Sequence, residues 1–310
     1  MSKSNTFLGI GALICVFLIV FLNYKSKNQI IGPRILIGSS LYKQKCVDLY
    51  IKERSPDPKL IVRPPLKEMP KDMANEFTMN GKMPNTKNWY FNEVYSDSAS
   101  ESKKVNQEIT LLEFAKNVEK ARNKQAMPTY GDSVLNNLME GYSSRVKDKS
   151  VIVIGTQSPW VEAIAYNHGA KFITTLDYTR KKYLITNMKW YHVNDFLDER
   201  IKSREIEDFD VAMSFSSIEH SGLGRYGDPL NPNGDIDAVQ QMHCLLRPRG
   251  LLFLAIPASL DGSSYMEFNA QRVYGKVRLE ALFKGWKLLN QTRDSLGIHG
   301  IYVLEKIETL

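Results

Sequence analysis

Short apolar runs that each close on a glycine or a polar residue alternate, through the second half of this chain, with segments of helical spacing. VIVIG (151–155), KFITTLDY (171–178), MKWYHVNDF (188–196), FDVAMSFS (209–216) and LLFLAIP (251–257) carry the β-branched and aromatic content of strands. SPWVEAIAYNHGA, DIDAVQQMHCLL (235–246) and RLEALFKG (278–285) separate them as helices, the first with Pro159 near its first turn and Gly169 at its C-terminal cap. QEITLLEFAKNVEKARNK (107–124) and GDSVLNNLMEGY (131–142) add two earlier helices, the second with Asp132 as N-cap. WKLLNQT (286–292) and GIYVLEK (300–306) are spaced to pair as a terminal antiparallel hairpin. Strands alternating with helices predict an α/β fold, a Rossmann-like doubly wound, mostly parallel sheet. Such sheets bind ligands beyond the C-terminal ends of their strands, where the strand order reverses.

That rule gives meaning to SFSSIEHSGLGRYGDP at 214–229. A turn needs a glycine and a polar residue or two. This one follows a strand with Ser216, Ser217, Glu219, His220, Arg225, Tyr226 and Asp228, a set richer than a turn requires. Other strand ends bring matching groups: Gly155 after the first, Asp177 at the second, Asn194 and Asp195 at the third. An acid about 20 residues past the glycine turn is placed to accept hydrogen bonds from ribose hydroxyls. GTQSPW supplies only Gly155, so a pyrophosphate cannot approach this backbone as it does in G-x-G-x-x-G, which argues against NAD or FAD. A metal site drawn from Glu219, His220, Asp228, Asp235 and Asp237 lacks ligand spacing, and no metal is expected.

The front of the chain is different. FLGIGALICVFLIVFL (7–22) has no charge, and with Thr6, Asn23 and Tyr24 at the interface it reads as an N-terminal transmembrane helix, an uncleaved signal anchor over 1–24. NYKSKN offers a poor cleavage site. Lys25, Lys27 and Arg34 follow the span and favour a cytosolic C-terminal side, whereas the very short N-terminal tail favours a lumenal one; the expectation is endoplasmic reticulum or Golgi, domain in the lumen. Six of thirteen prolines fall between Pro56 and Pro84, so residues 25–105 read as a stem and linker, part of which is expected to pack on the domain because Trp89, Tyr90 and Phe91 are costly to leave exposed; the regular remainder, 106–310, reads as the domain. Net charge is +7, but residues 25–104 hold fifteen Lys/Arg against nine Asp/Glu, while 106–310 hold twenty-five of each. A neutral domain argues against a nucleic-acid partner. Cys46 and Cys244 are able to pair in an oxidising lumen, and Asn290-Gln291-Thr292 is a glycosylation acceptor sequence. Nothing in the sequence sets an oligomeric state.

VIVIG, TTLDY, VNDF, FDVAMSFSSIEH and LLRPRGLLFLAIP resemble, in order and approximate spacing, the class I S-adenosylmethionine-dependent methyltransferases, over about residues 130–310. GDPLNPNGDIDAVQQMHCLLRPRGLLFLAIP and RVYGKVRLEALFKGW look, more narrowly, like a nematode-expanded domain family of unknown function. The resemblance implies S-adenosylmethionine as cofactor, with Gly155 lining it, Asp177 on the ribose, Asp195 on the adenine amino group, and Ser216 and Ser217 beside the sulfonium. His220 is then the base for a small-molecule or glycan hydroxyl, Glu219 its orienting partner or an acceptor contact, and Arg225, Tyr226 and Asp228 an acceptor loop hinged on its glycines. Two positions depart from the family's first-strand pattern: Val153 replaces an acid and Gln157 a glycine. The alternatives are a catalytically silent binding or scaffold protein and a glycosyltransferase-like enzyme, for which Asp235-Ile236-Asp237 has the letters but a helical position.

Overall fold

The computed structural model describes residues 32–62, 64–92, 107–127, 133–156, 158–178 and 181–307. The chain divides into two compact units, Cys46–Glu308 and a smaller one of Met1–Lys45 with Thr309–Leu310. The described part of the smaller unit is helical. Among the described residues no helix is long and apolar enough to cross a membrane; the apolar run at 7–22 lies outside them.

The helices are α1 (Gly32–Arg54), α2 (Ala74–Phe77), α3 (Leu111–Arg122), α4 (Val134–Glu140), α5 (Ser143–Val146), α6 (Trp160–Asn167), α7 (Val193–Ser203), α8 (Gly234–Leu245) and α9 (Lys276–Leu282). The strands are β1 (Asn85–Asn88), β2 (Gln107–Ile109), β3 (Ser150–Ile154), β4 (Phe172–Asp177), β5 (Lys181–Tyr183), β6 (Met188–His192), β7 (Phe209–Phe215), β8 (Leu246–Pro257), β9 (Tyr265–Phe268), β10 (Gln271–Val273), β11 (Trp286–Arg293) and β12 (His299–Lys306). Seven of them form the main sheet in the order β11-β12-β8-β7-β3-β4-β6. β3 pairs parallel with β4 and β7, and β7 with β8; β12 runs antiparallel to both β8 and β11. This is the Rossmann-like sheet with an antiparallel terminal hairpin that the methyltransferase resemblance implies, and the strand order reverses between β3 and β7. Val151, Val153, Val211, Met213, Leu251, Phe253, Ile301 and Val303 are buried in one core, as strands covered on both faces demand.

Two helix starts, those of α3 and α7, are set by side-chain caps. Thr110 and Glu113 form a reciprocal capping box at the start of α3, so the segment 107–109 is released to pair with β5 instead of extending the helix. The third strand stops at His192, whose Nδ1 accepts the Asn194 N–H at 3.2 Å and caps α7. Asn194 and Asp195 therefore lie in a helix, not at a strand end. The proposed N-cap Asp132 lies outside the described residues, and Ser133 occupies the N-cap of α4.

The stem expectation meets a different structure. From Cys46 to Asn92 the described chain is packed into the larger unit. Val62, Leu66, Met69, Met73 and Met79 pack against a second core of Phe77, Met83, Leu223, Leu230, Met266 and Phe268. β1 adds a parallel strand to β9 in a three-stranded sheet, β1-β9-β10. Among the described residues between Ser55 and Pro70 the prolines leave no regular helix beyond the single tight turn Pro58–Leu60, but they do not prevent the chain from packing. Cys46 and Cys244 form a disulfide with Cα atoms 5.6 Å apart, tying the last turns of α1 to α8 across 198 residues. A closure of that length is worth about 2–5 kcal/mol. Urea unfolding of the Cys46→Ser/Cys244→Ser double variant should show that loss, and adding reductant should lower wild type toward it without affecting the variant.

Candidate functional site

A cleft of about 1050 Å³ opens along the C-terminal edge of the main sheet. Gly155 after β3, Asp177 at the end of β4, and Ser216, Ser217 and His220 after β7 all line it. Its apolar floor includes Ile154, Leu176, Val193, Phe196 and Leu197. The opposite wall comes from the proline-rich segment, with Glu53, Pro56, Leu60, Val62 and Leu66 among its residues. That wall is bonded in place: the Leu230 N–H donates to the Leu60 carbonyl at 2.8 Å, Lys52 pairs with Asp237 at 2.5 Å, and Arg54 with Asp198 at 2.7 Å. Sequence reasoning points to packing of part of this segment through Trp89, Tyr90 and Phe91, but not to a cleft wall at residues 53–66; the run of Leu60, Ile61, Val62, Leu66 and Met69, too apolar for a hydrated stem, is the signal for it.

β7 ends abruptly. Ser216 sits at φ +48, a left-handed conformation rare for a side-chain-bearing residue, and its N–H still bonds the Ala255 carbonyl of β8 at 2.9 Å. The turn throws Ser217 against Gly155, where a Cβ would come within 1.8 Å of the Ser217 Oγ. Gly155 is thus required by contact with Ser217 as well as by its φ of +68.

The His220 ring is set by a carbonyl. Nδ1 lies 2.6 Å from the Ala270 oxygen, which can only accept, so Nδ1 carries the hydrogen and in the neutral ring Nε2 holds the lone pair. Glu219 is not the group that orients it through Nδ1. Its Oε1 accepts the Ser216 hydroxyl at 2.7 Å and stands 3.5 Å from His220 Nε2, while Oε2 is buried with no hydrogen-bond partner. Glu219 is wholly buried and does not line the cleft, which corrects its assignment as an acceptor contact.

The loop after His220 is locked rather than hinged. The buried Arg272 donates from Nη1 to the carbonyls of Glu219 (3.3 Å) and Ser221 (2.6 Å), and from Nη2 to those of Asn231 and Pro232 (both 3.2 Å). Beneath it, Asp235 is buried against Arg278 and accepts the Tyr274 hydroxyl at 2.9 Å. Burial alone would raise the Asp235 carboxyl, but the Arg272 and Arg278 guanidiniums outweigh it and hold the group below the usual carboxylate range. Asp237 pairs with Lys52, so Asp235-Ile236-Asp237 is no paired metal motif; among the described residues no group of three or more His, Cys, Asp or Glu is placed to hold a metal. Asp228 lines the cleft, yet its carboxylate accepts the N–H groups of Gly222, Gly224 and Tyr226, so it shapes the loop instead of presenting charge to an acceptor. Arg225 leaves the cleft altogether, stacking between Phe91 (4.6 Å) and Tyr226 (5.2 Å). Of the three acceptor-loop residues expected from sequence, Tyr226 alone brings its ring to the cleft, edge-on to His220 at 5.7 Å.

The two carboxylates that the resemblance assigns to a nucleoside separate. Asp177 faces the cleft with Oδ2 paired to the buried Lys181 Nζ at 2.6 Å. Asp195 is exposed on the first turn of α7, and Val193, Phe196 and Leu197 line the cleft in its place, correcting its assignment to an adenine. Helical geometry explains this: a residue two past Val193 points to another face. Val153 is buried in the core, so no acid takes the place that the resemblance gives to one. Gln157 lies outside the described residues. Nearby, Glu162 is fully buried, with Oε1 accepting the hydroxyls of Thr175 (2.7 Å) and Tyr183 (2.9 Å) and Oε2 without a partner. Burial pushes its carboxyl up, against those bonds and the Lys181 charge.

Residues 148–296 match a family model described as Caenorhabditis protein of unknown function, DUF268. No curated protein matches the chain. Among solved structures, the chain is similar to the Burkholderia thailandensis 1,6-didemethyltoxoflavin-N1-methyltransferase with bound 1,6-didemethyltoxoflavin and S-adenosylhomocysteine, at 14% identity, covering 80% of this chain and 94% of that one, TM-score 0.40. It is also similar to the N-methyltransferase NodS of Bradyrhizobium japonicum WM9 in complex with S-adenosylhomocysteine (12% identity, 62% and 100% covered, TM-score 0.39). A third is an S-adenosylmethionine dependent methyltransferase from Mesorhizobium loti (10% identity, 55% and 96% covered, TM-score 0.38).

Two substitutions test this account of the site's scaffold. Gly222 has φ +80, and a Cβ there would meet the Asn231 oxygen at 2.1 Å. Gly222→Ala should cost about 1–3 kcal/mol in urea unfolding, and a neutral result would mean the loop is free to move. The raised Glu162 carboxyl keeps in the folded chain a proton that the unfolded chain releases near pH 4.3, roughly, so stability falls as pH climbs above that value. Glu162→Gln should match wild type at about pH 4 and exceed it at about pH 7; equal stability at both would contradict the shift.

Proposed function

We propose that the protein is a methyltransferase-like enzyme that uses S-adenosylmethionine to methylate a hydroxyl of a small molecule or glycan. One observation carries the reading: His220, its ring fixed by the Ala270 carbonyl, stands on a locked loop that lines the cleft at the switch between β3 and β7. A base held there in one tautomer suits proton removal from an acceptor hydroxyl.

The residues fit the cofactor in part. The cleft is large enough, its floor of Leu176, Val193, Phe196 and Leu197 suits a heteroaromatic base, and Asp177 remains at the end of β4 to meet hydroxyls. Asp195 and Val153 offer no further carboxylate, so the grip expected on the nucleoside is weak. When bound, S-adenosylmethionine supplies an electrophilic methyl group on a sulfonium. The chain supplies position: Ser216 and Ser217 border the cleft beside Gly155, Tyr226 lines it edge-on to His220, and His220 Nε2 takes the acceptor's proton. The proline-rich wall excludes water from one side.

The missing carboxylates favour a second reading, a silent relative that binds a ligand in the same cleft without transferring a methyl group. A single-pass anchor at residues 7–22 with the domain in the endoplasmic reticulum or Golgi lumen belongs to the same proposal, and the Cys46–Cys244 disulfide supports the oxidising compartment. Calorimetry on the full chain with S-adenosylhomocysteine separates the two readings. Binding is expected, weakened about tenfold or more by Asp177→Asn, since a hydrogen bond to a charged group is worth roughly 1.5–3 kcal/mol. His220→Gln should keep that affinity and lose transfer to an acceptor. An absence of heat at millimolar ligand would leave only the silent reading.

A further inference from the structure

Asn290-Gln291-Thr292 is the one Asn-x-Ser/Thr sequence in the chain with x other than proline. The structure places it on β11, the outermost strand of the main sheet, which among the described residues pairs only with β12. Pairing slips there: Leu288 faces Leu304 while Asn290 faces Val303, so Leu289 is the extra residue of a bulge. Leu289 turns inward and packs against the main core. Asn290 and Gln291 are exposed. Beside them Leu288 is 45% exposed, an apolar group on an open strand edge. Such an edge offers unpaired N–H and C=O groups to any other strand and is ordinarily protected. A separate observation bears on compartment: Cys46 and Cys244, in the same compact unit, are joined in a disulfide, the state of an oxidising lumen.

We propose that Asn290 carries an N-linked glycan, which covers the open edge of β11 and fixes the Cys46–Glu308 unit on the lumenal side of the membrane. The proposal is independent of the methyltransferase reading. In the reaction the Asn290 side-chain nitrogen bonds to the anomeric carbon of an oligosaccharide carried on a polyprenyl pyrophosphate. The bond from that carbon to the pyrophosphate oxygen breaks, the pyrophosphate leaves with the electron pair, and the amide proton passes to solvent. The transferring enzyme acts on the extended chain, where the Thr292 hydroxyl completes the acceptor sequence. What the fold must do is tolerate the product. The bulge does this by directing Leu289 inward and leaving Asn290 at the surface, where a bulky polar adduct displaces nothing. A hydrated glycan at that point keeps a second strand from docking along β11, and it decides the orientation that the charges flanking residues 7–22 leave open.

The test uses the full chain made in a eukaryotic secretory host and purified without reductant. Treatment with peptide N-glycosidase should increase its gel mobility by one step. Asn290→Gln and Thr292→Ala should abolish the step, and Thr292→Ser should retain it. A wild-type chain whose mobility does not change, or a step that survives Asn290→Gln, overturns the proposal, as does recovery of both Cys46 and Cys244 as free thiols. Light scattering tests the edge function: the enzymatically deglycosylated chain and Asn290→Gln should associate at concentrations where the glycosylated chain does not. Equal behaviour of all three would refute the covering role.

Discussion

The buried Arg272 guanidinium is the constraint on which the rest of the site depends. Four backbone carbonyls of the segment from Glu219 to Pro232 point at it, and only that of Pro232 is shared with the second buried guanidinium, Arg278. Taking a guanidinium out of water is costly unless its donors are used and its charge is met; here Nη1 and Nη2 are used, while Nε makes no hydrogen bond. Asp235, itself shared with Arg278, meets the charge at 3.6 Å. The loop therefore cannot relax without stranding a buried ion. Close approaches at Gly222 and the amide bonds collected by Asp228 follow from the same closure.

Fixing the loop fixes His220, because the strand that carries Arg272 begins one residue after Ala270, whose carbonyl holds the ring. One short element thus sets both the path of the chain and the tautomer of its histidine. The arrangement is costly to build for a loop with no task. The side of the cleft beneath β4 and α7 is less provided for: an apolar floor, one carboxylate already paired to Lys181, and a second turned to solvent. A tightly fixed loop on one side and few polar groups on the other set this chain apart from what its resemblance implies.

Much of this was legible beforehand, for definite reasons. Period and punctuation locate β3, β4, β7, β8 and the terminal hairpin, because both-face burial forces continuous apolar runs such as VIVIG and LLFLAIP. Gly155, Asp177, Ser216, Ser217, His220 and Tyr226 do converge on one cleft. Asp195 misleads because MKWYHVNDF reads as one strand, while a cap made by His192 ends it early. Arg225 misleads because one of the rings it stacks on, Phe91, belongs to a segment over a hundred residues away in sequence. Arg272 could not be found at all: its partners are backbone carbonyls, which every residue has. The packing of the proline-rich segment was legible only in part, from Trp89, Tyr90 and Phe91, because proline reports on which hydrogen bonds are possible, not on whether a side chain is covered.

That last segment changes what counts as the smallest working piece of this protein. Cutting the chain just ahead of β2 would keep every strand of the main sheet, and a reader of the sequence would choose that point. The piece so obtained would lose one bank of the cleft, half of its only cross-link among the described cysteines, and the strand that seals β9. The sheet is not a separable module carrying a tether; the supposed tether is folded into the vessel, and removing it would spill the contents.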